Sequence, residues 1–233
     1  SLFTHAAKIY DLPVNPCKKV KRMGNSDSRS LNFWTLDEYK QFIQTMEPGT
    51  RYYLMFEMLF WTGCRIGELL AITKADINFE KNQLSINKTY YRTGMQDIIT
   101  EPKTKQSFRT IEIPEFLKEE IKEFIDGHYG MPDTERLFPV VQEAVQHKMK
   151  RQIELAGVKK IRVHDLRHSH VAYLIEKGVE PLLIRDRLGH KDIRITLNTY
   201  GHLYPNQQRK IANLLDNENG NVVTGLGEER DEC

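Results

Sequence analysis

A chain of 233 residues with 39% hydrophobic and 28% charged side chains is long enough to bury a sizeable core, as one large domain or two small ones. That balance excludes wholesale disorder and collagen-like structure. No run reaches the ~20 apolar residues of a membrane span, because Glu57 breaks the most apolar stretch, Tyr52 to Trp61. The formal charge is only +2, but residues 216–233 carry −5 and the rest of the chain +7, a basic body suited to a polyanion such as nucleic acid.

Three cysteines, Cys17, Cys64 and Cys233, leave an odd count without metal-ligand spacing, and no signal peptide precedes them. These features predict a soluble protein of a reducing compartment, the cytoplasm, with no membrane partner.

In chain order, Leu2 to Tyr10 has the apolar spacing of a helix but no capping signal before it. Residues 1–12 therefore read as the end of a domain whose start is missing. Pro13 and Pro16 stop that helix, and residues 13–32 form a basic linker. Its Lys18, Lys19, Lys21 and Arg22 are either a solvated tether or a strap across a DNA backbone. Thr35 and Glu38 have the spacing of a capping box, with Tyr39, Phe42, Ile43 and Met46 following at helical intervals. Helical character returns at Tyr52 to Thr62, is interrupted by Gly63, and resumes over Arg65 to Ile72.

From Asp76 to Pro114 the pattern becomes β, with strands around Leu84 to Ile86, Tyr90 to Tyr91 and Arg109 to Ile113, and a polar turn from Glu101 to Ser107. Helices are predicted again over Glu115 to Tyr129, Val141 to Ala156, His164 to Lys177, Pro181 to Leu188, Ile193 to Tyr200 and Pro205 to Leu215. The expected fold is mainly α with one small antiparallel β-sheet (α+β). Residues 33–215 make up the functional domain, and 216–233 an acidic, disordered tail.

The densest polar cluster, Val163 to His170, opens a helix on which His164 and Arg167 share a face, a base beside a fixed cation. Arg187-Leu188-Gly189-His190 closes the next helix, and Tyr200 follows ten residues after His190. Taken singly, each has a structural reading as a cap or a packing residue.

Together with Thr62-Gly63-Cys64-Arg65-Ile66-Gly67-Glu68-Leu69 and a lysine in the β turn, the ordered set Arg65, Lys103, His164, Arg167, His190 and Tyr200 resembles that of the tyrosine recombinases. This is the integrase family of phages, transposons and conjugative elements, related to type IB topoisomerases. The resemblance runs from about Leu31 to Pro205, and Asn15-Pro16 is similar to the family's interdomain junction. Lys103 in Pro-Lys-Thr is favoured for the lysine, with Lys105 in the same turn as the alternative and a further DNA contact.

The resemblance implies a tyrosine recombinase-like catalytic domain that cuts and rejoins DNA strands through a 3′-phosphotyrosyl at Tyr200. It implies no metal, nucleotide or other cofactor, because the phosphotyrosyl bond retains the energy of the broken phosphodiester. Arg65 and Arg167 are fixed cations able to neutralise the charge that builds on the phosphate oxygens, and His190 adds a donor. Lys103 is implied as the proton donor to the 5′ oxygen, and His164 as the acceptor of the tyrosine proton.

Glu68 reads as a structural support for Arg65, and Asp165 as a helix-capping or orienting residue. Partners implied are double-stranded DNA carrying core recombination sites, further copies of the chain in a synaptic tetramer, and an accessory excision protein. The tail helix, through Ile211, Leu214 and Leu215, is expected to pack on a neighbouring subunit. Rival readings are a non-catalytic DNA-binding module, and a zinc hydrolase using His164 and His168, against which Arg167 and Asp165 both count.

Overall fold

A computed structural model describes residues 2–10, 13, 15–18, 32–102, 107–128, 130–203, 212 and 215. The chain divides into two compact units, Ser1–Leu31 and Asn32–Cys233. The first holds helix α1 (Leu2–Ile9) and a 3-10 turn, Pro16–Lys18, where the Asn15 side chain accepts the Cys17 N–H at 3.0 Å. Lys18 lies in that turn. Lys19, Lys21, Arg22, Lys103 and Lys105 lie outside the described residues, as do Ile211, Leu214 and the tail from 216 onward.

The second unit is built around α3 (Arg51–Thr62), whose positions from Leu54 to Phe60 are all buried. It needs no polar face, because neighbours cover it on every side. Ahead of it, α2 (Leu36–Ile43) starts where the capping spacing predicts, with Thr35 Oγ1 accepting from Glu38 N at 3.2 Å and the Glu38 carboxylate accepting from Thr35 N at 2.9 Å. Tyr39 of α2 stacks on Phe60 with centroids 3.7 Å apart, and Phe42 packs between Trp34 and Phe56. The one acid of α3, Glu57, is accommodated by Tyr39 Oη and Trp61 Nε1 at 2.8 and 2.7 Å.

Helix α4 is shorter than its sequence pattern, spanning only Ile66–Leu69. The β region forms two sheets where one was expected. Strands β1 (Ile77–Asn78), β2 (Gln83–Ile86) and β5 (Arg109–Glu112) pair antiparallel in the order β1-β2-β5, with Leu84 opposite Ile111. A separate hairpin joins β3 (Thr89–Thr93) to β4 (Gln96–Thr100). Strand β4 carries no alternation because it has no buried face: four of its five residues are exposed. The hairpin is tied back to the unit by Arg136, which lies 4.2 Å over the Tyr90 ring and donates to Asp97 at 3.2 Å.

The remaining helices are α5 (Glu115–Asp126), α6 (Gln142–Ala156), α7 (Asp165–Glu176), α8 (Pro181–Leu188) and α9 (Ile193–Tyr200). Helix α7 packs on α3, and α9 on α8. Among the described residues no helix is long and apolar enough to cross a membrane.

Candidate active site

Four chain segments converge at one end of α7. The first follows α3, which ends at Gly63 with φ 66°, a left-handed conformation that costs a glycine little. A side chain there would also place its Cβ 2.5 Å from His170 Cδ2. Gly67 allows a second close approach, since a Cβ would lie 2.7 Å from Thr89 Oγ1 and 2.8 Å from the Tyr90 carbonyl of β3.

Between these glycines, Arg65 sits at the N-terminus of α4. Its N–H and Nη1 donate to the two oxygens of Glu68 at 2.9 and 2.8 Å. The Glu68 side chain is only 5% exposed while that of Arg65 is 41% exposed, so the acid is buried beneath a cation that still faces solvent. Arg109 of β5 donates to the same carboxylate from Nη1 and Nη2. Burial would raise the Glu68 carboxyl, but the hydrogen bonds and charge of Arg109, joined by Arg65, outweigh it and hold it down to about 2.

Arg167 lies buried behind this pair. Nη1 donates to the Gly63 carbonyl at 2.7 Å, and Nη2 donates to the Leu188 carbonyl at 2.8 Å and to His190 Nε2 at 3.1 Å. One planar fork thus joins the end of α3 to the end of α8. Because His190 Nε2 accepts from an arginine, its Nδ1 carries the proton and donates to Thr196 Oγ1 at 3.0 Å. Burial first, then Arg65, pushes Arg167 down to about 9; burial and Arg167 push His190 down to about 4.

Tyr200 ends α9 and is 2% exposed, and its Oη is 2.5 Å from His168 Nδ1. The sequence reading placed His164 in this role; the phenol's hydrogen-bond partner is the histidine one helical turn later. His164, an exposed residue, stands edge-on to His168 with ring centroids 5.3 Å apart. Desolvation first, then Arg167, lowers its pKa. Burial and His164 bring His168 down to about 4, while burial raises Tyr200 to about 12. Asp165 is buried at the start of α7, with its carboxylate taken by Arg162 Nε, Nη2 and N–H at 2.8 to 3.1 Å.

The structure therefore gathers Arg65, His164, Arg167, His190 and Tyr200 around α7. Sequence reasoning did not see Arg109 or Thr196, and it named His168 only as a rival metal ligand and Arg187 only within its cluster, without the bonds Arg187 donates to His170 Nε2, the Glu112 carbonyl and the Trp61 carbonyl. Only His168 carried a signal, its spacing of four from His164 on one helix. A groove of about 520 Å³ opens beside His164, floored by Ile66, Met149, Ile153 and Val163 and rimmed by Lys150 and Arg162. Among the described residues no three His, Cys, Asp or Glu side chains are grouped to hold a metal ion.

The chain is similar in sequence and fold to known proteins. The family model "Phage integrase family" matches residues 32–207, and the chain belongs to that family. It is 32% identical over 237 residues to the ICEBs1 integrase of Bacillus subtilis, covering 93% of this chain and 64% of that protein. It is 28% identical over 247 residues to a XerC-like tyrosine recombinase of Caldanaerobacter subterraneus, covering 93% of this chain and 63% of the relative. The chain thus spans less than two thirds of the length of either relative.

Among solved structures, the Tn1549 transposon integrase in complex with transposon right end DNA matches with a TM-score of 0.62 at 25% identity, over 76% of this chain and 64% of that one. The same integrase in complex with a circular intermediate DNA matches with a TM-score of 0.74 at 20% identity, over 92% and 75%, a likeness of fold.

Proposed function

We propose that the chain is the catalytic part of a site-specific recombinase, with residues 33–215 as its catalytic domain, that moves a mobile element by cutting and rejoining DNA strands. The observation that carries this reading is the placement of the Tyr200 hydroxyl in one cluster with Arg65, Arg167 and His190. Attack of Oη on a phosphodiester loads charge onto the non-bridging oxygens, and fixed cations lower that barrier without reorganising. Arg65 reaches solvent and meets the phosphate first; Arg167, anchored by two carbonyls, keeps its field in place.

His190 accepts from Arg167 in the free chain. It donates to phosphate once the anion draws the Arg167 proton toward itself and favours the charged imidazole. Lys103, with Lys105 as the alternative, protonates the leaving 5′ oxygen. Rejoining is the reverse, with a 5′ hydroxyl from a second duplex attacking the phosphotyrosine.

Exchange in two rounds requires four cut strands, so the working form is a tetramer on paired core sites. The basic residues of the linker contact the DNA backbone, an accessory protein biases excision, and the protein acts in the bacterial cytoplasm.

The test is adduct trapping. The chain is incubated in chelator with a library of nicked duplexes of randomised sequence, then denatured. A covalent protein–DNA adduct lost in Tyr200→Phe is expected. Binding without any adduct would favour a DNA-binding module.

A further inference from the structure

Tyr200 is only 2% exposed, so the group placed to take its proton is one that already touches its hydroxyl. His168 Nδ1 does, at 2.5 Å, and it is the hydrogen-bond partner of Oη among the described residues. Three elements set this contact. Helix α7 carries His168 one turn beyond His164 and one residue beyond Arg167, so the helix offers the phosphate-binding cation and the phenol partner on adjoining faces. Helix α9 ends at Tyr200, with its entry fixed by Asp192 accepting the Arg194 N–H at 2.9 Å. Thr196, fully buried one turn earlier on α9, is held by His190.

From this geometry, and resting on the recombinase reading above, we infer that His168 is a catalytic residue: the general base that takes the phenolic proton of Tyr200 on strand cleavage and returns it on rejoining. In the step, the Oη–P bond forms as the P–O5′ bond breaks. The phenolic proton passes from Oη to His168 Nδ1. The electron pair left on O5′ takes a proton from the ammonium of the lysine proposed above, Lys103 or Lys105. The protonation states agree, since a phenol raised to about 12 beside an imidazole lowered to about 4 keeps the proton on oxygen and the Nδ1 lone pair directed at it.

The groups facing His168 decide how strong a base it becomes. His164, Arg167 and Arg162 disfavour its charged form and Asp165 favours it, while His190 and Tyr200 complete the surroundings. An entering phosphate brings negative charge to the arginines and removes their opposition, so the base strengthens when substrate arrives. His164, without a bond to the phenol, is left to face the phosphate.

The experiment compares wild type, His168→Ala, His168→Asn, His164→Ala and Tyr200→Phe in single-turnover cleavage of nicked duplexes recovered from the randomised library, with duplex affinity measured in parallel. Asparagine keeps an acceptor near Nδ1 and tests whether folding or placement alone is at stake. We expect both His168 variants to bind DNA as wild type does, yet cleave about 10²- to 10⁴-fold more slowly at neutral pH. Their rates should climb with rising pH, because hydroxide must then ionise the phenol, while wild type stays flat.

Wild-type cleavage by His168→Asn, or a slow variant whose pH profile parallels that of wild type, would overturn the assignment. So would a loss of the pH-independent region confined to His164→Ala. If wild type gives no adduct while DNA binding is measurable, the recombinase reading falls and the base role with it. Adducts from wild type with normal rates in the His168 variants remove the base role alone.

Discussion

Arg109 and Glu68, 41 positions apart, are joined by two hydrogen bonds of 2.8 and 3.2 Å in a contact from which solvent is nearly excluded. Glu68 also holds Arg65, and Arg109 Nε donates to the Arg187 carbonyl at 2.9 Å. One strand residue therefore braces the arginine after Gly63 against the segment that leads into His190. Removing one partner of a buried ion pair leaves the other uncompensated, at about 3–5 kcal/mol. Because Glu68 keeps its two bonds from Arg65, Arg109→Ala should lose less than that in urea unfolding, and slow cleavage through a misplaced Arg65. Arg109→Lys, which keeps the charge without the fork, should recover stability more than rate. Equal stability of Arg109→Ala and wild type would show the contact to be dispensable.

Gly63→Ala should be costly for two independent reasons. Its φ of 66° costs an L-residue about 1–2 kcal/mol, and the new Cβ meets His170 Cδ2 at 2.5 Å, an overpacking worth about 1–3 kcal/mol. The imidazole cannot swing away without giving up the Arg187 Nε bond at 3.1 Å. Because the Gly63 carbonyl anchors Arg167, cleavage should fall even at temperatures where the variant is folded. Calorimetry with a trapping assay on the same preparation checks both effects.

Acid should destabilise the fold well above the carboxylate range. His168 and His190 are lowered to about 4 and His170 to about 3, in each case by burial first. For such groups the unfolded chain binds more protons between those values and about 6.5, so their stability is present above pH 6.5 and lost as pH falls. The buried His170 alone accounts for about 2 kcal/mol between pH 6.5 and 5, and the half-buried pair for less.

Glu120 opposes this. Burial and Glu57 raise it to about 7, so its contribution is present below the unfolded value and lost as pH rises through 7. Urea midpoints at pH 7 and 5 should therefore fall with acid, and fall further in Glu120→Gln. A flat profile in both proteins would contradict the burial of the three histidines.

Read residue by residue, the sequence displayed local geometry, and the long-range set Arg65, His164, Arg167, His190 and Tyr200 came only through the family resemblance. The capping pair Thr35 and Glu38, the turn at Gly63 and the face shared by His164 and Arg167 lie within four residues of one another, and their spacing states their geometry. Strand β4 was hidden because it is the outer strand of its hairpin: β3 buries Tyr90, while β4 has no buried residue to impose alternation. Arg109 was hidden because its partners are 41 and 78 residues away: alternation puts it on the face of Ile111 and Ile113, but only the folded chain shows which carboxylate it meets there. His168 lay in plain view beside His164, but choosing between two histidines on one helix depends on where α9 delivers Tyr200, which is tertiary information.

Arg167→Lys separates charge from geometry with a pH signature. The arginine bonds two carbonyls from different elements, at Gly63 and Leu188, with one planar group, and a single ammonium cannot span both. Lysine would also enter a site that already pushes a guanidinium down to about 9, through burial first and then Arg65 and Arg109, so its own ionisation should shift toward neutral pH. Cleavage by Arg167→Lys should therefore be about 10²- to 10³-fold below wild type at pH 8, where the ammonium has lost its proton, and recover part of that loss at pH 6, where the charge returns. Arg167→Ala, with no charge to restore, should be inactive at both values. A constant deficit in Arg167→Lys across this range would mean that the fork, and not the charge it carries, sets the rate.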